Sequence, residues 1–266
     1  MSAEIVGLGL FIGLVLAITG AGGAILSIPL LVFFLHLDLS QAAPIGLFAL
    51  ALSAGFGALL GLKTGHVRYK AASLMAILGM CMAPTGVWLS HILPASLVGV
   101  LFALLLAYVA LRMWQGSITE STYNPDAKTP ACQLNPVTSR LYWTAPCTAR
   151  LGLAGGTAGL LSGLLGVGGG FVIVPSLRKV SNFDQRTIIA TSLAVIALVS
   201  IASFVTYGLH SAVNWQIAWL FGISTLAGSL IGRQFAAKIP QHTSQRIFAA
   251  LAMIIALALL IKYLMR

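Results

Sequence analysis

The sequence predicts an all-α polytopic membrane protein made of two inverted-topology repeats, each a re-entrant helical hairpin plus three transmembrane helices. Three observations predict it: a composition too apolar for a wetted surface, an internal repeat, and a second helix in each repeat too short to cross a bilayer. Of 266 residues, 59% are hydrophobic and 8% charged, where a soluble domain carries roughly 25% charged residues. The apolar residues fall in long blocks, at 42–62, 71–89, 97–111, 187–209, 215–232 and 247–261. Most approach the ~20 residues needed to cross a hydrocarbon core of ~30 Å. Long blocks without period-2 alternation favour helices over a barrel.

The repeat appears when the chain is shifted by 146 residues (Gly166 against Gly20). Gly13-Leu14 then meets Gly159-Leu160, and Gly20, Gly22 and Gly23 meet Gly166, Gly168 and Gly169. Pro29 meets Pro175, Asp38 meets Asp184, Gly86 meets Gly232, Pro94 meets Pro240, and Phe102 meets Phe248. Recurrent glycines and prolines at one offset argue for duplication. The chain therefore divides into membrane repeat 1 (1–114), a Pro- and Ser/Thr-rich linker (115–149) placed in the cytoplasm, and membrane repeat 2 (150–266).

Each repeat has five segments. Segment one (5–19, or 151–165) ends at a glycine-rich turn, and segment two runs from that turn through the proline. In repeat 2 only residues 171–177 separate Gly170 from Arg178-Lys179, roughly 10 Å of helix. Segments one and two are therefore read as a hairpin that leaves on the side it entered. Irregular backbone at that depth is tolerated only where protein or water surrounds it. Thirteen of the 15 Lys and Arg residues fall in loops 63–70, 112–150, 178–186 and 233–246. The positive-inside rule puts those loops in the cytoplasm and both termini outside. The net charge of +10 is scattered through these loops, which suits anionic headgroups rather than nucleic acid. The apolar N-terminus carries Glu4 instead of a basic leader and is read as mature structure.

Inverted repeats with broken helices hold a substrate near the midplane. Two turns would face each other there: Gly20, Ala21, Gly22 and Gly23 in one, Gly166, Val167, Gly168, Gly169 and Gly170 in the other. Each turn starts a helix, whose free N–H groups and positive dipole end favour an anion. Glycine lets the backbone reach the ligand and adopts φ > 0 freely. Thr19, Ser27, Ser162, Thr191 and Ser192 are candidate hydroxyl donors, although intramembrane hydroxyls commonly serve their own helix. Arg233, seven residues before Pro240, could descend toward an anion, but it is expected rather to snorkel to the cytoplasmic interface. None of the five acids lies inside a predicted span and the histidines sit at loops or helix ends, so a proton relay has no obvious members. Downhill export of an anion needs none, since the membrane potential contributes ~2.3 kcal/mol per charge per 100 mV. Sodium coupling through backbone carbonyls stays open. No cofactor, metal site or enzymatic cluster is indicated. With no CxxC motif, Cys132 and Cys147 are expected to be reduced thiols.

The two Gly-x-Gly-Gly-(x5)-Pro motifs, Gly20–Pro29 and Gly166–Pro175, resemble those of the TauE/SafE family of sulfite exporters. Gly65-His66-Val67-Arg68, Ala190-Thr191-Ser192-Leu193 and the Gly232-Arg233 to Pro240 stretch are similar to that family's pattern too. Pro44-Ile45-Gly46 departs from it, which leaves hydroxyls on one side only. The resemblance implies a secondary transporter of the bacterial inner membrane that exports sulfite, an organosulfonate or a related small anion. A passive anion channel is the runner-up; a membrane enzyme or assembly partner fits the residues less well. The expected partners are the anion and the lipid bilayer, and a homo-oligomer stays open.

Overall fold

The computed structural model describes residues 2–19, 24–118, 132, 144–210, 213–236 and 241–264. They form ten helices: α1 (Ser2–Thr19), α2 (Ala24–Phe34), α3 (Leu39–Lys63), α4 (Tyr69–Ile92), α5 (Ala95–Ile118), α6 (Ala145–Leu165), α7 (Gly170–Val180), α8 (Gln185–His210), α9 (Trp215–Ala236) and α10 (Gln241–Leu264). Seven of them, α1, α3, α4, α5, α8, α9 and α10, are long and apolar enough to cross a membrane. The chain is an all-helical, multi-pass membrane protein.

The second segments are short, as expected. Helices α2 and α7 have 11 residues each, roughly 16 Å of rise. Helix α7 continues through Arg178-Lys179, past the limit that the charges suggested. Helix α1 differs: its 18 residues give roughly 27 Å, enough to cross, so α2 is the short limb. Helix α2 is enclosed, and Ile25, Leu26, Ile28 and Leu31 have no exposed surface. Large apolar residues such as Ile77, Trp88, Leu104, Ile223 and Ile254 point outward instead. Outside water, they are in their proper solvent.

Small residues set the helix pairs, because close backbone approach replaces hydrophobic drive inside lipid. Against α9, Gly9 of α1 meets Phe221, Gly13 meets Thr225, and Gly232 meets Leu14. Against α4, Gly155 of α6 meets Met75, Gly159 meets Gly79, and Gly86 meets Leu160. Subtracting 146 from Gly155, Gly159 and Leu160 gives Gly9, Gly13 and Leu14, and adding it to Met75, Gly79 and Gly86 gives Phe221, Thr225 and Gly232. The same interface is thus built twice with the halves exchanged. In both copies residue numbers rise together, so the paired helices are parallel. Helices α3 and α8 are antiparallel: Gly55 lies by Ala197, Gly57 by Leu193 and Gly61 by Ala190. Helices α5 and α10 are antiparallel as well, with Gly99 of the first turns against Tyr263 of the last.

One expectation is overturned. Cys132 and Cys147 form a disulfide, with Cα atoms 5.0 Å apart. The Cys132 N–H donates to the Val180 carbonyl at the end of α7 (2.9 Å). Thr144 caps the start of α6 by accepting the Cys147 N–H (3.3 Å). The bridge thus ties the open ends of α6 and α7 together. Spacing alone hid this pairing, because backbone bonding at Val180 is what brings Cys132 to Cys147.

Candidate functional site

The second glycine turn is the best-defined feature of the interior. Helix α6 ends at Gly166 (φ 73°, ψ 15°), whose N–H returns to the Ser162 carbonyl (2.8 Å). Gly168 (φ 68°) and Gly169 (φ 67°) are also left-handed, and Gly169 caps the start of α7. Three left-handed residues in four is a path that only glycine follows without strain. Every residue from Ser162 to Phe171 is buried. Gly166 rests on Ile28 of α2 and Ala43 of α3, Gly169 backs onto Ala158, and Gly168 faces Leu50, Ile196 and the Ser200 hydroxyl. Turn two therefore meets α2 and α3 of the first repeat. Gly20, Ala21, Gly22 and Gly23 lie outside the described residues.

Most of the candidate hydroxyls are engaged. Thr19 donates to the Val15 carbonyl (2.8 Å) and Ser192 to that of Ile189 (2.8 Å). Ser162 pairs with Ser203 (3.1 Å). Thr191 accepts the N–H of Arg68 (3.1 Å) and so holds the start of α4. Ser27 is buried beside Gly46, where the absence of a side chain makes room for it.

Two cavities flank this centre at corresponding places in the two repeats. The first, about 550 Å³, is lined by Asp38, Ser40, Ser90, His91, Tyr207 and Tyr263, and reaches Ala43, Leu164 and Leu165 beside turn two. Tyr207 donates to the Gly163 carbonyl (2.9 Å) and pairs with Ser90 (3.0 Å), which braces the helix end that leads into the turn. The second, about 390 Å³, is lined by Leu16, Ala17, Ser53, Arg186, Ile189, Leu193, Ser229 and Arg233. At the offset of 146, Ser40 and Ala43 of the first correspond to Arg186 and Ile189 of the second.

The second cavity brings together Arg233, which the sequence weighs as an interfacial anchor, and Arg186, which the sequence reading did not single out. Arg233 is half-buried, and its guanidinium lies across Gly57 of α3. Gly57 is six residues short of the end of α3 at Lys63, roughly 9 Å inward. The side chain thus points along the span, into the cavity that it shares with Arg186. Ser53 and Ser229 donate to the Ala49 and Leu226 carbonyls of their own helices (both 2.8 Å). The two guanidinium groups are therefore the donors this cavity offers a ligand. Their five N–H groups each match the oxygens of a small oxyanion.

Comparison with known proteins agrees with the fold. A "Probable membrane transporter protein" of Xylella fastidiosa is 28% identical over 256 residues, covering 95% of this chain and 92% of the relative. The "Probable membrane transporter protein" YunE of Bacillus subtilis is 25% identical, covering 87% and 86%, and YjnA of the same organism is 23% identical, covering 98% and 100%. No solved structure gives a significant match. The family model described as "Sulfite exporter TauE/SafE" matches residues 5–259. With that match running through both repeats, the chain belongs to the TauE/SafE family.

Proposed function

We propose that this chain is a secondary transporter that exports a small anion, of the sulfite or organosulfonate class, across the cytoplasmic membrane. The observation that carries the reading is the second cavity, lined by exposed Arg186 at its mouth and half-buried Arg233 farther in, with no acid among the described lining residues. Charge at that depth is costly and marks an ion path. The relatives' names support transport, and the family description supports a sulfite-like substrate.

Helix directions support inverted topology. Corresponding helices (α3 with α8, α5 with α10) run antiparallel, while α1 with α9 and α4 with α6 run parallel. A two-fold axis perpendicular to the helices produces that pattern. Once the helices cross a bilayer, the axis lies in the membrane plane, the arrangement of inverted-repeat transporters. Helices α2 and α7, at half the hydrocarbon thickness, become the returning limbs of two re-entrant hairpins. The anion would then sit by the glycine turns: Gly20, Ala21, Gly22 and Gly23 with Ser27 from one side, Gly166 to Gly170 with Thr191 from the other, while Thr19 and Ser192 stay bonded to their own helices.

The basic loops support a cytoplasmic position for the Arg186/Arg233 cavity and an outer one for the Asp38 cavity. Arg186 captures the anion at the inner mouth. At the outer mouth its counterpart is Ser40, and Asp38 repels the departing charge. Two similar cavities of unlike charge thus bias traffic outward, and a negative-inside potential adds to the bias. Efflux of sulfite from proteoliposomes under an imposed potential, with sulfate as comparison, tests the reading. Saturable efflux that prefers sulfite and grows with the potential is expected. Non-saturable flux would make the chain a channel, and no movement of sulfite or of organosulfonates would overturn anion export.

A further inference from the structure

We propose that the hydroxyl of Ser200 is a ligand of the transported anion, binding its oxygens together with the backbone N–H groups of the second glycine turn. The inference rests on the transport reading and names a residue of its central site.

Ser200 stands apart from the other intramembrane hydroxyls. Ser53, Ser192, Ser224, Thr225 and Ser229 each donate to a carbonyl three or four residues back in their own helix. The Ser200 Oγ is fully buried and has no hydrogen-bond partner among the described residues. A hydroxyl buried in that way is unfavourable unless something completes it. Its direction says what: it is the nearest atom to the place a Gly168 side chain would occupy, 2.8 Å from the position of the missing Cβ.

The turn it faces is unsatisfied too. Gly166 donates to Ser162, and the next backbone donors with acceptors are Val172 and Ile173, both to the Gly169 carbonyl. Between them the N–H groups of Val167, Gly168, Gly169, Gly170 and Phe171 have no backbone acceptor among the described residues. Such groups are normally paired when buried, and at a helix start they form an anion site. Five N–H donors and one O–H donor suit an acceptor-only ligand with several oxygens, such as sulfite or a sulfonate head. The first cavity, which reaches Leu164, Leu165 and Ala43 beside the turn, would give that ligand its way out. Arg186 and Arg233 attract the anion at the entrance, and Ser200 with the turn holds it inside.

Ser200→Ala in full-length protein tests the proposal, with Ser203→Ala as the control one turn along α8. The expected result is a KM for sulfite efflux raised about tenfold, the loss of a hydrogen bond to a charged group. Stabilisation of the detergent-solubilised protein by sulfite should fall in parallel. Without sulfite, Ser200→Ala should melt no lower than wild type, because the hydroxyl it removes is unpaired. Ser203→Ala should melt lower and keep the wild-type KM. Ser200→Cys, which keeps the shape with a weaker donor, should move KM the same way and guards against a folding failure. A wild-type KM in both Ser200 variants overturns the proposal while transport stands, whereas a wild-type protein that neither transports nor is stabilised by any small oxyanion overturns the transport reading and this inference with it.

Discussion

The guanidinium of Arg233 lies over the bare backbone of Gly57, so a glycine on one helix sets where a charge on another can rest. A Cβ at Gly57 would strike Arg233 Nη2 and, at 2.9 Å, Leu193 Cδ1. Both are ends of flexible side chains and give way cheaply. Gly57→Ala should therefore fold normally and turn the guanidinium out of the cavity. The expected outcome is sulfite efflux reduced about tenfold, ~1.4 kcal/mol of lost stabilisation, with an unchanged melting temperature. Initial rates in proteoliposomes check it, and wild-type flux would place Arg233 off the path.

The exchange of Ser40 for Arg186 between the two cavities is the difference in fixed charge on which the proposed direction rests. Arg186→Ser should raise the KM on the cytoplasmic face about tenfold and flatten its dependence on salt, because less long-range attraction is left to screen. Ser40→Arg puts a guanidinium beside the exit and should slow release, lowering the maximal rate with little change in KM. Equal effects of both substitutions from both faces would remove the charge-bias argument.

At the second turn, strain and contact separate. Gly168→Ala adds a Cβ at φ 68° beside Ser200, Leu50 and Ile196 side chains, where left-handed backbone costs roughly 1–2 kcal/mol. It should lower stability by about that much and abolish flux. Gly169→Val is a different change, because its Cβ would meet the Ala158 carbonyl oxygen at 2.6 Å. Backbone cannot move aside as a side chain does, so that variant should lose the fold along with the flux. Size-exclusion profiles and thermal melts distinguish the two.

Corresponding interfaces should fail together. Gly13→Leu and Gly159→Leu drive a branched side chain into the backbone of α9 and of α4 respectively. Overpacking of this kind costs about 1–3 kcal/mol. Both variants should melt lower by similar amounts, and a large difference between them would show that the two copies of the interface carry unequal weight.

Which of these features the sequence reveals follows from their range. The recurrent glycines were legible because Gly13/Gly159 and Gly86/Gly232 are spaced by helix packing itself, so their pattern survives where other residues drift. The shortness of α7 was legible because Gly170 and Arg178 bound it, although the helix runs on to Val180. For Arg233 the sequence left two readings, an interfacial anchor and a descent toward an anion, since position along α9 says nothing of the gap at Gly57 on α3. Ser200 carried no signal, because its isolation depends on a turn thirty residues away in sequence (Gly170 to Ser200). The disulfide was invisible for the same reason.

That disulfide supplies a test of orientation. The basic loops assign the linker to the cytoplasm, where thiols are kept reduced, whereas disulfides persist in oxidising compartments. If the charge rule governs, Cys132 and Cys147 are thiols in growing cells and close into the observed bridge only on oxidation. Trapping thiols in intact cells with a membrane-permeant maleimide, then comparing with an impermeant one, decides between the two. Labelling of both cysteines by the permeant reagent alone, with Cys81 substituted to remove background, would show that the bridge is open in the cell and the linker cytoplasmic. A pair that stays unlabelled until reduction, and then reacts with the impermeant reagent, would put the linker and the Arg186/Arg233 cavity outside. The same charges would then gather the anion from the exterior, and the direction of transport would have to be reversed.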